Sequence, residues 1–133
     1  MSQENVELVR RAMQAVNDRN IPAIESIYAE DVVYRLIGGL ADMMGTEFRG
    51  RDALLGWFRE WNETMDARVD IDTIRDVNDQ VLAIMYLNAA GAASGAATTR
   101  LFGQVFSFRD GRISAQEAYY TPDEALKAVG LEE

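Results

Sequence analysis

Apolar residues recur along this chain at two periods, and the points where one gives way to the other divide it into elements. Val6, Val9, Met13 and Val16 fall three or four residues apart with charges between them, which predicts an amphipathic helix over residues 3–18. Asn20 suits an N-cap and Pro22 a first helical turn, while Ile24, Ile27 and Tyr28 give the apolar stripe of a second helix ending near Glu30. The period then shortens to two. Residues 31–37 read as a strand with Val32, Tyr34 and Leu36 on one side, stopped by Gly38 and Gly39. No period runs through residues 38–50, a glycine-bounded loop in which Met43 and Met44 are candidate lid residues, because a thioether adapts to what it covers. Leu54, Phe58, Trp61 and Met65 predict a helix from Arg51 to about Thr64, with Trp57 beside the stripe. Two tryptophans on one helix point to core or cavity wall.

The second half alternates. Residues 67–76 set Val69, Ile71 and Thr73 against Arg68, Asp70 and Asp72, and Asn78-Asp79 turns the chain. Residues 81–90 place Ile84, Tyr86, Asn88 and Ala90 on one face and Val81, Ala83, Met85 and Leu87 on the other. The small residues 89–97 read as a hairpin tip or as the cleared mouth of a pocket or contact. Residues 97–121 then form a long antiparallel hairpin about Arg109-Asp110-Gly111-Arg112. One face of it carries Arg100, Phe102, Gln104, Phe106 and Phe108, continued by Ser114, Gln116, Ala118 and Tyr120, an aromatic wall with a few amides. The other carries Leu101, Val105, Ile113 and Tyr119 beside Ser107 and Glu117, too apolar for water alone and suited to a partner subunit. Thr121, Pro122 and Gly130 bracket a last helix. Helix, helix, strand, helix and four strands make an α+β arrangement, with helices packed on one face of a strongly curved, mostly antiparallel sheet.

Composition narrows the chemistry. The 133 residues, 48% hydrophobic and 26% charged, suit one domain spanning residues 1–133, with no linker or repeat. A net charge of −9, without a Lys/Arg patch, argues against nucleic acid and anionic membrane as partners. The absence of cysteine removes disulfides and thiolate chemistry. The absence of histidine removes the commonest general base, the commonest metal ligand and every Ser-His dyad, so neither a metal nor a cofactor is expected. With no apolar run near ~20 residues and a polar amino terminus, the expected location is the cytoplasm.

Four stretches carry a family likeness: Ser2 to Ala12, Ile24 to Val33 (Ile-Glu-Ser-Ile-Tyr-Ala-Glu-Asp-Val-Val), Phe48 to Leu54 (Phe-Arg-Gly-Arg-Asp-Ala-Leu) and Phe106 to Ile113 (Phe-Ser-Phe-Arg-Asp-Gly-Arg-Ile). Over nearly its whole length the chain resembles SnoaL-like proteins of the nuclear-transport-factor-2-like superfamily, which share the ketosteroid-isomerase-like fold. The resemblance implies a cone-shaped α+β barrel lined by inward strand faces, closed by helices, and usually a homodimer through the outer sheet face. It does not imply one chemistry, because that fold carries enzymes, binding modules and scaffolds. Ketosteroid isomerases of the superfamily hold an oxyanion with a tyrosine and a protonated aspartic acid while an aspartate moves the proton; by local alignment those positions fall on Ala12, Gln104 and Leu36. Only Gln104 keeps a donor. SnoaL-type polyketide cyclases rely on a histidine that this chain lacks. Epoxide hydrolases on the fold use carboxylates with a supporting arginine, tyrosine and asparagine; Arg100, Tyr34 and Asn88 match the support without the carboxylates.

The ligand-binding set expected on this reading is Tyr34, Tyr86, Asn88, Arg100, Phe102, Gln104, Phe106, Gln116 and Tyr120 inside the cone, with Met43, Met44 and Trp57 above. Tyr34 and Gln104 are the candidates for any catalytic role, and Glu117 faces outward toward a subunit contact. The expected function is binding of a small, largely apolar organic molecule, with Gln104 and Asn88 as hydrogen-bonding anchors. One alternative is an enzyme of isomerase, polyketide-cyclase or epoxide-hydrolase type using tyrosine and ordered water. The other is a dimeric interaction module with a vestigial pocket.

Overall fold

The computed structural model describes residues 2–38, 47–91 and 97–131. Along the chain run α1 (Ser2–Asp18), α2 (Ile21–Ile27), β1 (Tyr28–Ile37), β2 (Glu47–Arg49), α3 (Arg51–Thr64), β3 (Met65–Val77), β4 (Gln80–Gly91), β5 (Ala97–Arg109), β6 (Arg112–Tyr119) and α4 (Pro122–Ala128). Among the described residues six strands form one sheet in the order β2-β1-β6-β5-β4-β3. Among these described strands only the β1–β6 pairing is parallel, so the sheet is mostly antiparallel and the fold α+β. No helix among the described residues is long and apolar enough to cross a membrane.

Local chemistry accounts for most of these boundaries. Asn20 caps α2 by accepting the Ala23 N–H at 3.2 Å, and Thr121 caps α4 by accepting the Glu124 N–H at 3.3 Å, each just ahead of a proline-bearing first turn. Two of the hairpin turns place Asn78-Asp79 (φ 51° and 66°) and Asp110-Gly111 (φ 53° and 74°) in the left-handed region, the conformation in which a two-residue turn matches the twist of its strands.

The structure departs from the sequence reading at several points. Helix α2 stops at Ile27 rather than near Glu30, because Tyr28 is already extended and opens β1. Within the stretch expected to be loop, residues 47–49 pair with β1 as a short edge strand. A bulge between Ile71 and Thr73 turns Thr73 out to solvent and brings Ile74 against the core. A second irregularity, between Ser107 and Phe108, moves Ile113 from the expected outer face to the inner core, where it is fully buried. Edge strand β3 is held by a side chain that imitates a neighbouring strand: Asn17 of α1 donates to the Val69 carbonyl and accepts the Val69 N–H, both at 2.8 Å.

The core has two parts, one on each side of the sheet. On the inner side α1, α2 and α3 bury Val9, Ala12, Met13, Ile24, Leu55 and Phe58 against Val32, Val81, Met85 and Phe106. On the outer side α4 lays Ala125 and Val129 on Leu82, Ile84 and Val105. Part of the apolar face expected to await another subunit is thus covered by the chain's own carboxy-terminal helix. The contact is close enough that a Cβ added at Gly103 collides with the Ala125 Cβ.

Candidate functional site

The inner packing is incomplete. Between the sheet and the three helices lies a cavity of about 120 Å³, the same order as the ~150 Å³ void that accepts one benzene ring in an apolar core. Its lining is mostly apolar, from Met13, Val16, Leu54, Leu55 and Phe58 on the helices to Leu36, Val69, Leu87 and Ala118 on the strands.

Polar groups sit at two levels. On the buried floor, the Tyr28 hydroxyl donates to Gln116 Oε1 at 2.6 Å, Gln116 Nε2 donates to Gln104 Oε1, and Gln104 Nε2 ends the relay on the Met85 sulfur at 3.7 Å. Each amide carries a second N–H that this relay does not use. Beside them Tyr34 is buried, and its hydroxyl has no hydrogen-bond partner among the described residues. Burial pushes both phenols well above the ordinary tyrosine range, Tyr28 further through its neighbour Tyr34, so both remain protonated donors at ordinary pH. At the half-buried rim, Arg100 lies over the Tyr120 ring, its guanidinium carbon 3.7 Å from the ring centroid, and donates to the Tyr120 carbonyl at 2.8 Å. Its buried Nε has no hydrogen-bond partner among the described residues.

One wall is an aromatic ladder. Tyr34 and Trp57 meet edge to face at 5.3 Å, Phe48 fills the angle behind them at 5.6 Å from Trp57, and Trp57 stacks on Trp61 at 5.9 Å. Among the described residues no aspartate or glutamate lines the cavity.

Of the residues singled out in the sequence, Tyr34, Trp57, Arg100, Phe102, Gln104 and Gln116 are brought together on this lining. Four others are placed differently. Tyr86 and Asn88 are on the opposite face of the sheet, since the pairings Met85↔Phe102 and Leu87↔Arg100 turn the odd-numbered side chains of β4 inward. Tyr86 is among the exposed residues, and Asn88 donates to Asp70 at 3.1 Å and accepts from Thr99 at 2.9 Å, so Asn88 is withdrawn as an anchor. Phe106 shares the inner face but is wholly enclosed by core and does not reach the cavity. Tyr120 props Arg100 rather than lining the space itself. Met43 and Met44 lie outside the described residues. Glu117 faces outward, as expected, accepting from Tyr119 at 3.2 Å and paired with Arg35 at 3.6 Å.

The sequence reading missed Tyr28, the start of the polar relay, because it was counted into the stripe of α2. The available signal was that an aromatic at position 28 keeps even spacing with Val32, Tyr34 and Leu36. Asn62, on the lining between Trp61 and the start of β3, carried no signal.

Residues 9–116 match the SnoaL-like domain. No curated protein matches the chain. Among solved structures, an NTF2-like protein of unknown function from Burkholderia pseudomallei is 19% identical, with 96% of this chain and 98% of that one covered at a TM-score of 0.79. A hypothetical protein with a ketosteroid-isomerase-like fold from Catenulispora acidiphila, in complex with trimethylamine, is 19% identical, with 94% and 93% covered and a TM-score of 0.75. An LEH-like epoxide hydrolase from M. tuberculosis is 20% identical, with 96% and 86% covered and a TM-score of 0.74. At such identities these structures establish the nuclear-transport-factor-2-like fold and leave activity to the residues of the site.

Proposed function

The chain belongs to the SnoaL-like domain family, and we propose that it acts as a receptor for a small, largely apolar organic molecule held in the inner cavity. The observation that carries this reading is the lining itself, an apolar wall over a floor of surplus donors, without a carboxylate among the described residues. Such a floor can hold an oxygen atom of a ligand by hydrogen bonds from Tyr34, Gln104 and Gln116, but it offers no base to take a proton from one. The trimethylamine complex of the Catenulispora relative is in keeping with a receptor role for this fold. The same proposal takes residues 1–133 as one domain that pairs with a second copy through the outer sheet face, where Tyr86 is exposed and Leu101 partly buried.

The test is a thermal-shift panel of one-ring aromatics, monoterpene alcohols, polyketide fragments and steroids. A ligand at about a hundred times its Kd stabilises the native state by about 2.7 kcal/mol. One-ring, oxygen-bearing compounds are expected to raise Tm, steroids to leave it unchanged, and Gln104→Leu to weaken the former. A panel without any shift would remove this reading in favour of an interaction module. A second reading, an enzyme of isomerase, polyketide-cyclase or epoxide-hydrolase type, is favoured by one feature, a Tyr34 hydroxyl at the cavity with no hydrogen-bond partner among the described residues. Turnover abolished by Tyr34→Phe with ligand affinity retained would establish it.

A further inference from the structure

Resting on the receptor reading, we propose that the molecule held in the cavity is a one-ring aromatic acid, its carboxylate on Arg100 and its far end on the glutamine floor. Arg100 is the cation on which this turns. No salt bridge joins it to an acidic residue among the described residues, although six other ion pairs are formed there. Its known partners are the face and the carbonyl of Tyr120. A guanidinium has five N–H donors in a planar fork, and its buried Nε is unused among the described residues. The group that satisfies such a fork best is a carboxylate, by paired charge-assisted hydrogen bonds.

The length of the ligand follows from the strand. Arg100 and Gln104 lie on the same face of β5, four residues and so about 13 Å apart along the backbone. Phe102 lies midway between them on that face. The interval left is that of one ring with polar groups at opposite ends. Phe102 and Trp57 on the lining favour a flat body, and a volume of ~120 Å³ is of the order of a single ring. The net charge of −9 repels anions at long range, so affinity for an acid must come from the local contact with Arg100 rather than from steering. The same contact disfavours organic cations.

Calorimetric titration of the full chain with 4-hydroxybenzoate and with its neutral counterpart 4-hydroxybenzamide, at pH 7, separates the possibilities. The acid is expected to bind about tenfold or more tightly than the amide. Arg100→Gln is expected to bring the acid down to the level of the amide while changing the amide by less than about threefold, and Arg100→Lys, which keeps charge without the fork, to recover part of the loss. Equal affinities in the wild type, or an equal loss of both probes in Arg100→Gln, would overturn the assignment of the carboxylate while leaving the receptor reading intact. Failure of both probes to bind a folded wild-type chain would overturn the aromatic-acid assignment, and the receptor reading falls with it only if the thermal-shift panel is silent as well.

Discussion

The two faces of strands β4 to β6 are made from the same alternating chain and are finished in opposite ways. Outside, α4 seals Leu82, Ile84 and Val105, and Gly103 lets helix and strand touch. Beyond α4 the charges are paired: Arg35 donates to Glu47 at 2.9 Å and lies 3.6 Å from Glu117, which also accepts from Tyr119. Inside, Arg100 on the lining forms no ion pair among the described residues, the donor relay ends weakly on a sulfur, the Tyr34 hydroxyl has no hydrogen-bond partner among those residues, and space remains. A space of about 120 Å³ is left there. A face designed only to hold the fold together would close that void, as the outer face does. The outer face is closed and holds the fold together, and the space left on the inner one is what the receptor proposal rests on.

The largest test of that contrast is Gly103→Val. If the outer face has no clearance, the branched side chain drives α4 off the sheet, and stability measured by urea unfolding falls by about 3 kcal/mol. Ala125→Gly in the same chain should restore a third or more of the loss, because the collision is with that methyl group. Full stability in Gly103→Val would show that α4 is not seated as described. A smaller effect is expected on the inner face. Gln116→Leu strands the Tyr28 hydroxyl and the Gln104 carbonyl in an apolar setting and should cost about 2 kcal/mol. Adding Gln104→Leu removes one stranded group and should give back stability rather than take more, a non-additivity that a double-mutant cycle measures. Strict additivity would mean that the relay is not a unit.

How far the sequence foretold this contrast depended on regularity. Helices α1 and α3 and these two hairpin turns, Asn78-Asp79 and Asp110-Gly111, were legible because their periods and turn residues are local properties. Strand β5 runs without a break from Arg100 to Phe106, so its parity alone put Arg100, Phe102 and Gln104 on the cavity. Strand β4 was ambiguous, because Ile84 with Tyr86 and Met85 with Leu87 make equally apolar faces. The pairing with β5 decides between them, and that is a tertiary fact. Ile113 and Thr73 were misplaced by one-residue irregularities that reverse parity and leave no compositional mark. Tyr28 was hidden because helix passes to strand with no residue between them.

The smallest effect on the isolated chain, and the most telling for assembly, belongs to Tyr86. It is 39% exposed on the outer face, with Leu101 opposite it on β5. Truncating so exposed a ring removes little packing within one chain, so Tyr86→Ala should change unfolding stability at high dilution by no more than about 0.5 kcal/mol. If two copies meet through this face, the same ring becomes buried on association, and tyrosines of that kind dominate interface energies. Sedimentation velocity across a concentration series should then show a dimer in the wild type whose dissociation constant rises at least about tenfold in Tyr86→Ala. A monomer at every concentration, or a dimer indifferent to this substitution, would remove the outer sheet face as the contact and leave only the covering by α4 to explain its apolar character.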